Sequence, residues 1–387
     1  MTAFRCHNRV VLLLLAGLIA ALTCLSFINF APNRLVSGQP YGLWQLSGLP
    51  IYWLIIPLLA LLAAAFLPRS GVAAWSGLVG AEATFLLLLW MLISAAQALA
   101  QQASPIARIS PGGGWWLALC FSLLICSEAC KRITHRVVWR WLLMAQVWLV
   151  PLIMLFSGAF DGLALLKEYA SRQQVFNDAL LRHMVLLVAT LIPGLIVSLP
   201  LGFWCARHLK GQSHVFTLLN IIQTIPSVAL FGLLIAPLAG LARRFPLLAD
   251  LGVSGIGMAP ALIALVLYAL LPLVRAVAVG IEQVPADAVE SAKGMGMSGW
   301  QIALHIELPL ALPVLLRGLK VVAVQTVGMA VIAALIGAGG LGALVFQGVL
   351  SSALDLVLLG VIPVVALAVV VDALFSLAIA ILETGHD

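Results

Sequence analysis

Ten long apolar runs, separated by short polar breaks, set the pattern of this chain: roughly residues 10–30, 49–67, 74–98, 114–130, 138–158, 183–205, 215–240, 257–279, 313–336 and 356–382. Each is close to the roughly 20 residues an α-helix needs to cross a bilayer core about 30 Å thick. No water is present there to satisfy backbone groups, so such a run closes its hydrogen bonds within itself, as a helix. The pattern predicts an all-α polytopic membrane protein with about ten transmembrane helices. Two breaks are themselves patterned. Residues 160–183, "FDGLALLKEYASRQQVFNDALLRH", are polar on one face and carry Leu165, Leu166, Tyr169, Val175, Phe176 and Leu180 on the other. They predict an interfacial helix along the outer membrane surface. The other break, around residues 287–309, is glycine-rich and carries two carboxylates and a lysine in its first half.

Composition removes the soluble classes. The chain of 387 residues is 63% hydrophobic and 9% charged, where soluble domains carry about 25% charged residues. The formal net charge of +6 belongs to basic cytoplasmic loops, not to a nucleic-acid surface. With a cytoplasmic amino terminus, thirteen basic residues fall inside (Arg5, Arg9, Arg69, Lys131, Arg132, Arg136, Arg140, Arg207, Lys210, Arg275, Lys293, Arg317 and Lys320). Seven fall outside (Arg34, Arg108, Lys167, Arg172, Arg182, Arg243 and Arg244). Ten spans then place both termini in the cytoplasm. The amino-terminal "MTAFRCHNRVVLLLLAGLIAALTCLSF" is similar to a signal peptide, but its length and the spans that follow favour an uncleaved first span.

Tryptophan and proline divide the chain. Nine of the eleven tryptophans precede residue 150, and Trp75, Trp115, Trp116, Trp139 and Trp141 stand at span starts, where indole rings favour the headgroup region. Later spans carry Pro193, Pro200, Pro226, Pro237, Pro260, Pro272 and Pro363. Cys6, Cys24, Cys120, Cys126, Cys130 and Cys205 lack metal-ligand spacing and read as small apolar residues. His183, His208 and His305 are not spaced as ligands and read as interfacial. Glu82 and Asp372 fall inside spans, where carboxylates are costly, and neither has an evident cationic partner in the sequence.

The glycine-rich break reads as helix, bend, helix. Asp287 and Glu290 stand three apart, as in a capping box, and start a helix near residue 288. Gly294 and Gly296 end it. Ser298 and Gln301 repeat the box and start a second helix, which carries Trp300, Ala303 and Leu304 on one face. Pro309 then forces a new direction.

This stretch, "ESAKGMGMSGWQIALHIELP", resembles the EAA loop of ABC importer permeases. In that pattern Glu-Ala-Ala is followed after three residues by Gly, and after nine more by Ile-x-Leu-Pro. Here it reads Glu290, Ser291, Ala292, Gly296, Ile306, Leu308 and Pro309, with Ser291 replacing the first Ala. "NIIQTIPSVALFGLL", "LYALLPLVRAV", "LPLALPVLLRGLK" and "LIGAGGLGALVFQGV" are similar to the glycine betaine, choline and carnitine branch, over about residues 178–385.

The resemblance implies a domain plan: an additional transmembrane region of about five spans over 1–160, a periplasmic linker helix over 161–182, and a permease core over 183–387. That core has five spans in the methionine-importer-like type I arrangement, with a cytoplasmic coupling loop over 281–312. It implies a bacterial inner-membrane subunit with no cofactor of its own. Cytoplasmic ABC ATPase subunits bind ATP and Mg, in keeping with the absence of a Gly-x-x-x-x-Gly-Lys-Ser/Thr loop from the chain. A periplasmic binding protein delivers the solute, and a second permease subunit, giving a homodimer, completes the pathway. The resemblance gives ATPase coupling to Glu290, Ser291, Ala292, Gly296, Ile306, Leu308 and Pro309. It sets Thr224, Pro226, Ser227, Gly339 and Gly340 near the translocation route, although glycines of the last group also suit helix packing. A permease for another small solute such as an amino acid is the alternative. An ion-coupled transporter leaves the EAA pattern unexplained, and no enzyme motif is present.

Overall fold

The computed structural model describes residues 7–33, 36, 38–46, 48–68, 70–104, 106–250 and 252–384. Arg5, Cys6, Arg34, Arg69 and both chain ends lie outside them. The chain divides into two units, Met1–Ser171 and Arg172–Asp387. Among the described residues, eight helices are long and apolar enough to span a bilayer, and Arg9–Cys24, Ile51–Phe66 and Leu341–Leu350 are shorter apolar helices.

In the first unit, α1 (Arg9–Cys24) stops short of the predicted span end at residue 30, and Ser26–Ala31 forms strand β1. With β2 (Gln39–Gly42) and β3 (Arg108–Pro111) it makes an antiparallel three-stranded sheet ordered β2-β1-β3. Phe27 and Ile28 are fully buried, so the apolar run past Cys24 belongs to a packed strand. The helices are α2 (Ile55–Phe66), α3 (Gly71–Gln102), α4 (Gly113–Ile133), α5 (Val137–Gln146), α6 (Leu149–Phe156) and α7 (Ala164–Ser171). "PGGG" at 111–114 starts α4 against this corner. A Cβ on Gly112 would lie 2.2 Å from the Ser26 carbonyl oxygen, and one on Gly114 2.6 Å from that of Ala21. Trp115 is buried and donates Nε1–H to Leu88 O at 2.9 Å, not to headgroups. The α7 helix is fastened to β3: Arg108 pairs with buried Glu168 at 3.4 Å and donates to Ala164 O at 3.3 Å, and Lys167 donates to Ala107 O at 3.2 Å. The predicted interfacial helix thus ends at Ser171, and its remainder belongs to the next helix. Glu82 has a partner, accepting from Gln146 Nε2.

The second unit holds α8 (Gln173–Arg207), α9 (Leu209–Thr224), α10 (Ser227–Arg244), α11 (Pro246–Asp250) and α12 (Met258–Glu282). It continues through α13 (Ala286–Gly294), α14 (Gly299–Ile302), a π turn (Ala303–Glu307), α15 (Leu308–Ala333), α16 (Leu341–Leu350) and α17 (Leu354–Thr384). Of the spans in this unit α12 is the most buried, and glycines let its neighbours approach. A Cβ on Gly202 of α8 would lie 2.4 Å from Val277 Cβ, and one on Gly318 of α15 2.2 Å from Ala276 Cβ. Lipid is as apolar as leucine, so this close packing takes the place of the hydrophobic effect between spans. Among the cysteines described, Cys24, Cys120, Cys126, Cys130 and Cys205 are all free.

Gly202→Val is expected to lower the thermal unfolding midpoint in detergent, at a cost of about 1–3 kcal/mol for overpacking. Gly232→Ala, where nothing lies within 4 Å, leaves the midpoint unchanged or raises it. An unshifted Gly202→Val protein would contradict the packing.

Candidate functional site

Pro285, not an acid, caps α13, and no side-chain cap bond forms there. Asp287 sits in the first helical turn, where its charge meets the positive end of the helix, so the Asp287–Glu290 box is not made. Glu290 and Ser291 are exposed, and Ala292 on the opposite face is fully buried. Methyl is the size that fits beneath the helix at that point.

The exit from α13 is a Schellman turn. Met297 N–H donates to Ala292 O at 3.1 Å, and Gly296 N–H to Lys293 O at 2.9 Å, with Gly296 at φ +80°. Only glycine takes that backbone without strain. The Ser298–Gln301 box is made in both directions, with Gln301 Oε1 accepting from Ser298 N at 2.8 Å and Ser298 Oγ from Gln301 N at 3.4 Å.

Pro309 does not redirect the chain. Helix runs on from Gly299 through Ile336, and the π turn precedes the proline, with Leu308 N–H reaching back to Ala303 O. Proline clashes with the carbonyl four residues earlier in a regular helix, and the wider π turn removes that conflict. Ile306 and Leu308 are half-buried.

Met295 and Trp300 of this elbow are each 73% exposed. Beneath it, Trp300, Ala303, Leu304 and Leu308 line a groove of about 430 Å³ against Phe203 and Trp204 of α8. Arg207 bridges the groove, donating from Nη2 to Glu307 Oε2 at 2.7 Å. His208 stacks on Trp204, with ring centroids 5.0 Å apart, while His305 is exposed and bonds Gln301 O at 3.0 Å.

The second group of residues surrounds two breaks. At the first, α9 ends at Thr224 and α10 begins at Ser227, with Pro226 between them. Three of the carbonyls around this break have partners. Ile225 N–H takes Ile222 O at 3.3 Å, and Thr224 Oγ1 donates to Ile221 O at 2.7 Å. The Tyr268 hydroxyl donates to Ile225 O, and Gln223 Nε2 returns a bond to Tyr268 O at 2.9 Å. Thr224 is exposed and Ser227 half-buried.

At the second break, Gly337, Gly339 and Gly340 have φ of +81°, +79° and +75° and turn the chain from α15 into α16. Gly339 lies against Arg182 and Gly340 against His183. His183 is fully buried, not interfacial: Nε2 contacts Val327 O at 3.1 Å, and Nδ1 faces the turn without a partner. Asp372 does have a cation. Lys320 Nζ meets its Oδ1 at 2.7 Å and donates to Ser376 Oγ at 2.8 Å. Tyr268, the Arg207–Glu307 pair and the Lys320–Asp372 pair are the functional candidates that sequence reading missed. Their partners are remote in sequence; the proline break pointed toward Tyr268, and Asp372 stood out as a carboxylate within a span, but its partner Lys320 did not. Among the described residues no cluster suited to a metal ion occurs.

Residues 198–383 match the family described as binding-protein-dependent transport system inner membrane component, and residues 8–166 match the N-terminal domain of the ABC transporter permease YehY. The carnitine transport permease OpuCB of Listeria monocytogenes is 36% identical over 49% of this chain and 80% of its own length. The osmoprotectant import permease OsmW of Salmonella typhimurium is 36% identical over 49% of this chain and 84% of its own. The MetNI methionine ABC transporter in inward-facing form aligns with a TM-score of 0.48 and 20% identity, over 55% of this chain and 98% of that chain.

Thermal unfolding of Arg207→Ala, Glu307→Ala and the double variant is expected to reveal coupling within the about 0.5–3 kcal/mol seen for contacting pairs. The value belongs in the lower part of that range, because Arg207 is 49% exposed and solvent screens it. Strictly additive effects would mean that the pair carries no energy.

Proposed function

We propose how this chain works from one premise: it belongs to the binding-protein-dependent transport system inner membrane components, the permease subunits of ABC importers. It is a multi-pass inner-membrane transport subunit. Two cytoplasmic ATPases supply the work by binding ATP and Mg, and a periplasmic binding protein delivers the solute. A second copy of this chain completes the route, and both termini are cytoplasmic. The solute is glycine betaine or a related quaternary ammonium osmoprotectant, a reading supported by relatives named for carnitine and osmoprotectant import. The core from residue 183 carries the transport cycle, and the region through residue 160 is additional to it.

One observation carries the coupling role. A polar, glycine-bent elbow holds two large apolar side chains, Met295 and Trp300, out in the open. An exposed apolar knob of this kind marks a docking surface. In this reading Glu290 and Ser291 meet the ATPase on the exposed face of α13, while buried Ala292 seats that helix on its own subunit. Gly296 sets the angle between the two short helices. Ile306, Leu308 and Pro309 join the second of them to α15. When the ATPases close on ATP, the elbow moves as a body and carries α15 with it. The solute route then alternates between two states whose populations nucleotide and solute shift. Thr224, Pro226, Ser227, Gly339 and Gly340 flank the moving parts of that route.

Gly296→Asp tests the coupling. Aspartate takes left-handed backbone at less cost than most residues, and nothing lies within 4 Å of the position, so the strain, about 1–2 kcal/mol, stays within the elbow and the rest of the fold is retained. Expression and membrane insertion are expected at wild-type level. Co-purification of the ATPase and solute-stimulated ATP hydrolysis in proteoliposomes are expected to fall about tenfold or more, the ratio that ~1.4 kcal/mol of docking energy gives. Unchanged association and uptake would remove the coupling role.

A further inference from the structure

Helix α15 leaves one stripe open on the second unit. Arg317, Val321, Gln325 and Gly328 are all exposed and recur at helical spacing, while Val322, Thr326 and Val327 on the other side are buried. The twenty residues from Arg317 to the turn at Gly337 span about 30 Å at 1.5 Å per residue, the thickness of the hydrocarbon core. Gln325 stands eight residues along, about 12 Å in.

Two features of this stripe do not suit lipid. The Gln325 carboxamide donates only to the Met329 thioether, at 3.5 Å, and its Oε1 accepts nothing among the described residues. Sulfur is a weak acceptor, and an unsatisfied amide facing hydrocarbon is unfavourable. Gly328 has nothing within 4 Å of where a Cβ would stand, in contrast to Gly318 on the same helix, which packs on Ala276. A mid-helix glycine weakens the helix, and here no neighbour within the chain accounts for it. The stripe also adjoins the proline break: Met329 packs in one apolar cluster with Ile225 and Tyr268.

We propose that this stripe lines the water-filled solute route, with Gln325 as the group that hydrogen-bonds the passing solute and Gly328 as the clearance beside it. The proposal rests on the permease reading and deepens it. A quaternary ammonium has no N–H, so the carboxamide N–H of Gln325 meets the solute's carboxylate or hydroxyl oxygen. The oppositely charged Lys320–Asp372 pair, one turn toward Arg317, keeps fixed net charge out of the same region.

The test uses the assembled importer in proteoliposomes, with its binding protein and with native cysteines replaced by alanine. Single cysteines at 325 and 328 are compared with controls at 365 and 369 on α17, where Val365 and Val369 are 56% and 57% exposed. The probe is a membrane-impermeant methanethiosulfonate bearing a quaternary ammonium, which reacts with thiolate and therefore with cysteines in water. Positions 325 and 328 are expected to react about tenfold faster or more than the controls, and glycine betaine is expected to slow them. Gly328→Leu is expected to abolish uptake with an unshifted thermal midpoint. Reaction at control rates in variants that still transport would overturn the proposal and leave the permease reading standing. Failure of the cysteine-free importer to take up any quaternary amine, when the native importer also fails, would sink the transport reading and this inference with it.

Discussion

A break between apolar helices must hand its freed carbonyls to some donor, and at the α9–α10 break Tyr268 is one such donor. Its hydroxyl reaches Ile225 O, and its own carbonyl receives Gln223. This exchange locks α12 to the α9–α10 break. The lock gives the Ile225 carbonyl beside Pro226 a partner within the protein, as irregular backbone at membrane depth requires. The other departures from regular helix obey the same rule. The Schellman turn at Gly296 satisfies the carbonyls of Ala292 and Lys293, and the π turn at Ala303–Glu307 keeps its ladder closed in front of Pro309. Each irregularity comes with its own hydrogen-bond partners.

Those breaks divide the second unit into separate helical segments. From Gly299 through Ile336 the chain is continuously helical, with Pro309 and Pro313 the positions that donate no ladder bond, so Trp300 and Gln325 lie on one rod. Arg207 and Glu307 tie the foot of this rod to the end of α8, and Lys320 and Asp372 tie its middle to α17. Both pairs join residues far apart in sequence, and removing one partner leaves the other charge without its counter-ion.

Much of this was legible in the residues. Apolar runs of about twenty residues fixed the helical class, and a Ser-x-x-Gln spacing marked the start of α14, because that cap closes on itself. The Asp287–Glu290 pair has the same spacing and failed, since Pro285 already holds the position before the helix. Ser26–Ala31 was hidden because an apolar strand directly following an apolar helix reads as more helix. His183 stands at the edge of an apolar run and so reads as interfacial, but α15 and the Gly337–Gly340 turn close over it. The Lys320–Asp372 pair was invisible because nothing local relates two residues on different helices.

The π turn carries one more consequence. It inserts a single extra residue between the elbow and the membrane-spanning rod, and one residue of helix is about 100° of rotation. That insertion sets the azimuth at which Met295 and Trp300 stand relative to Gln325 and Gly328. Two chains with identical elbows and identical spans, differing only by the presence of this bulge, would present Gln325 and Gly328 about a quarter turn apart for the same orientation of the elbow.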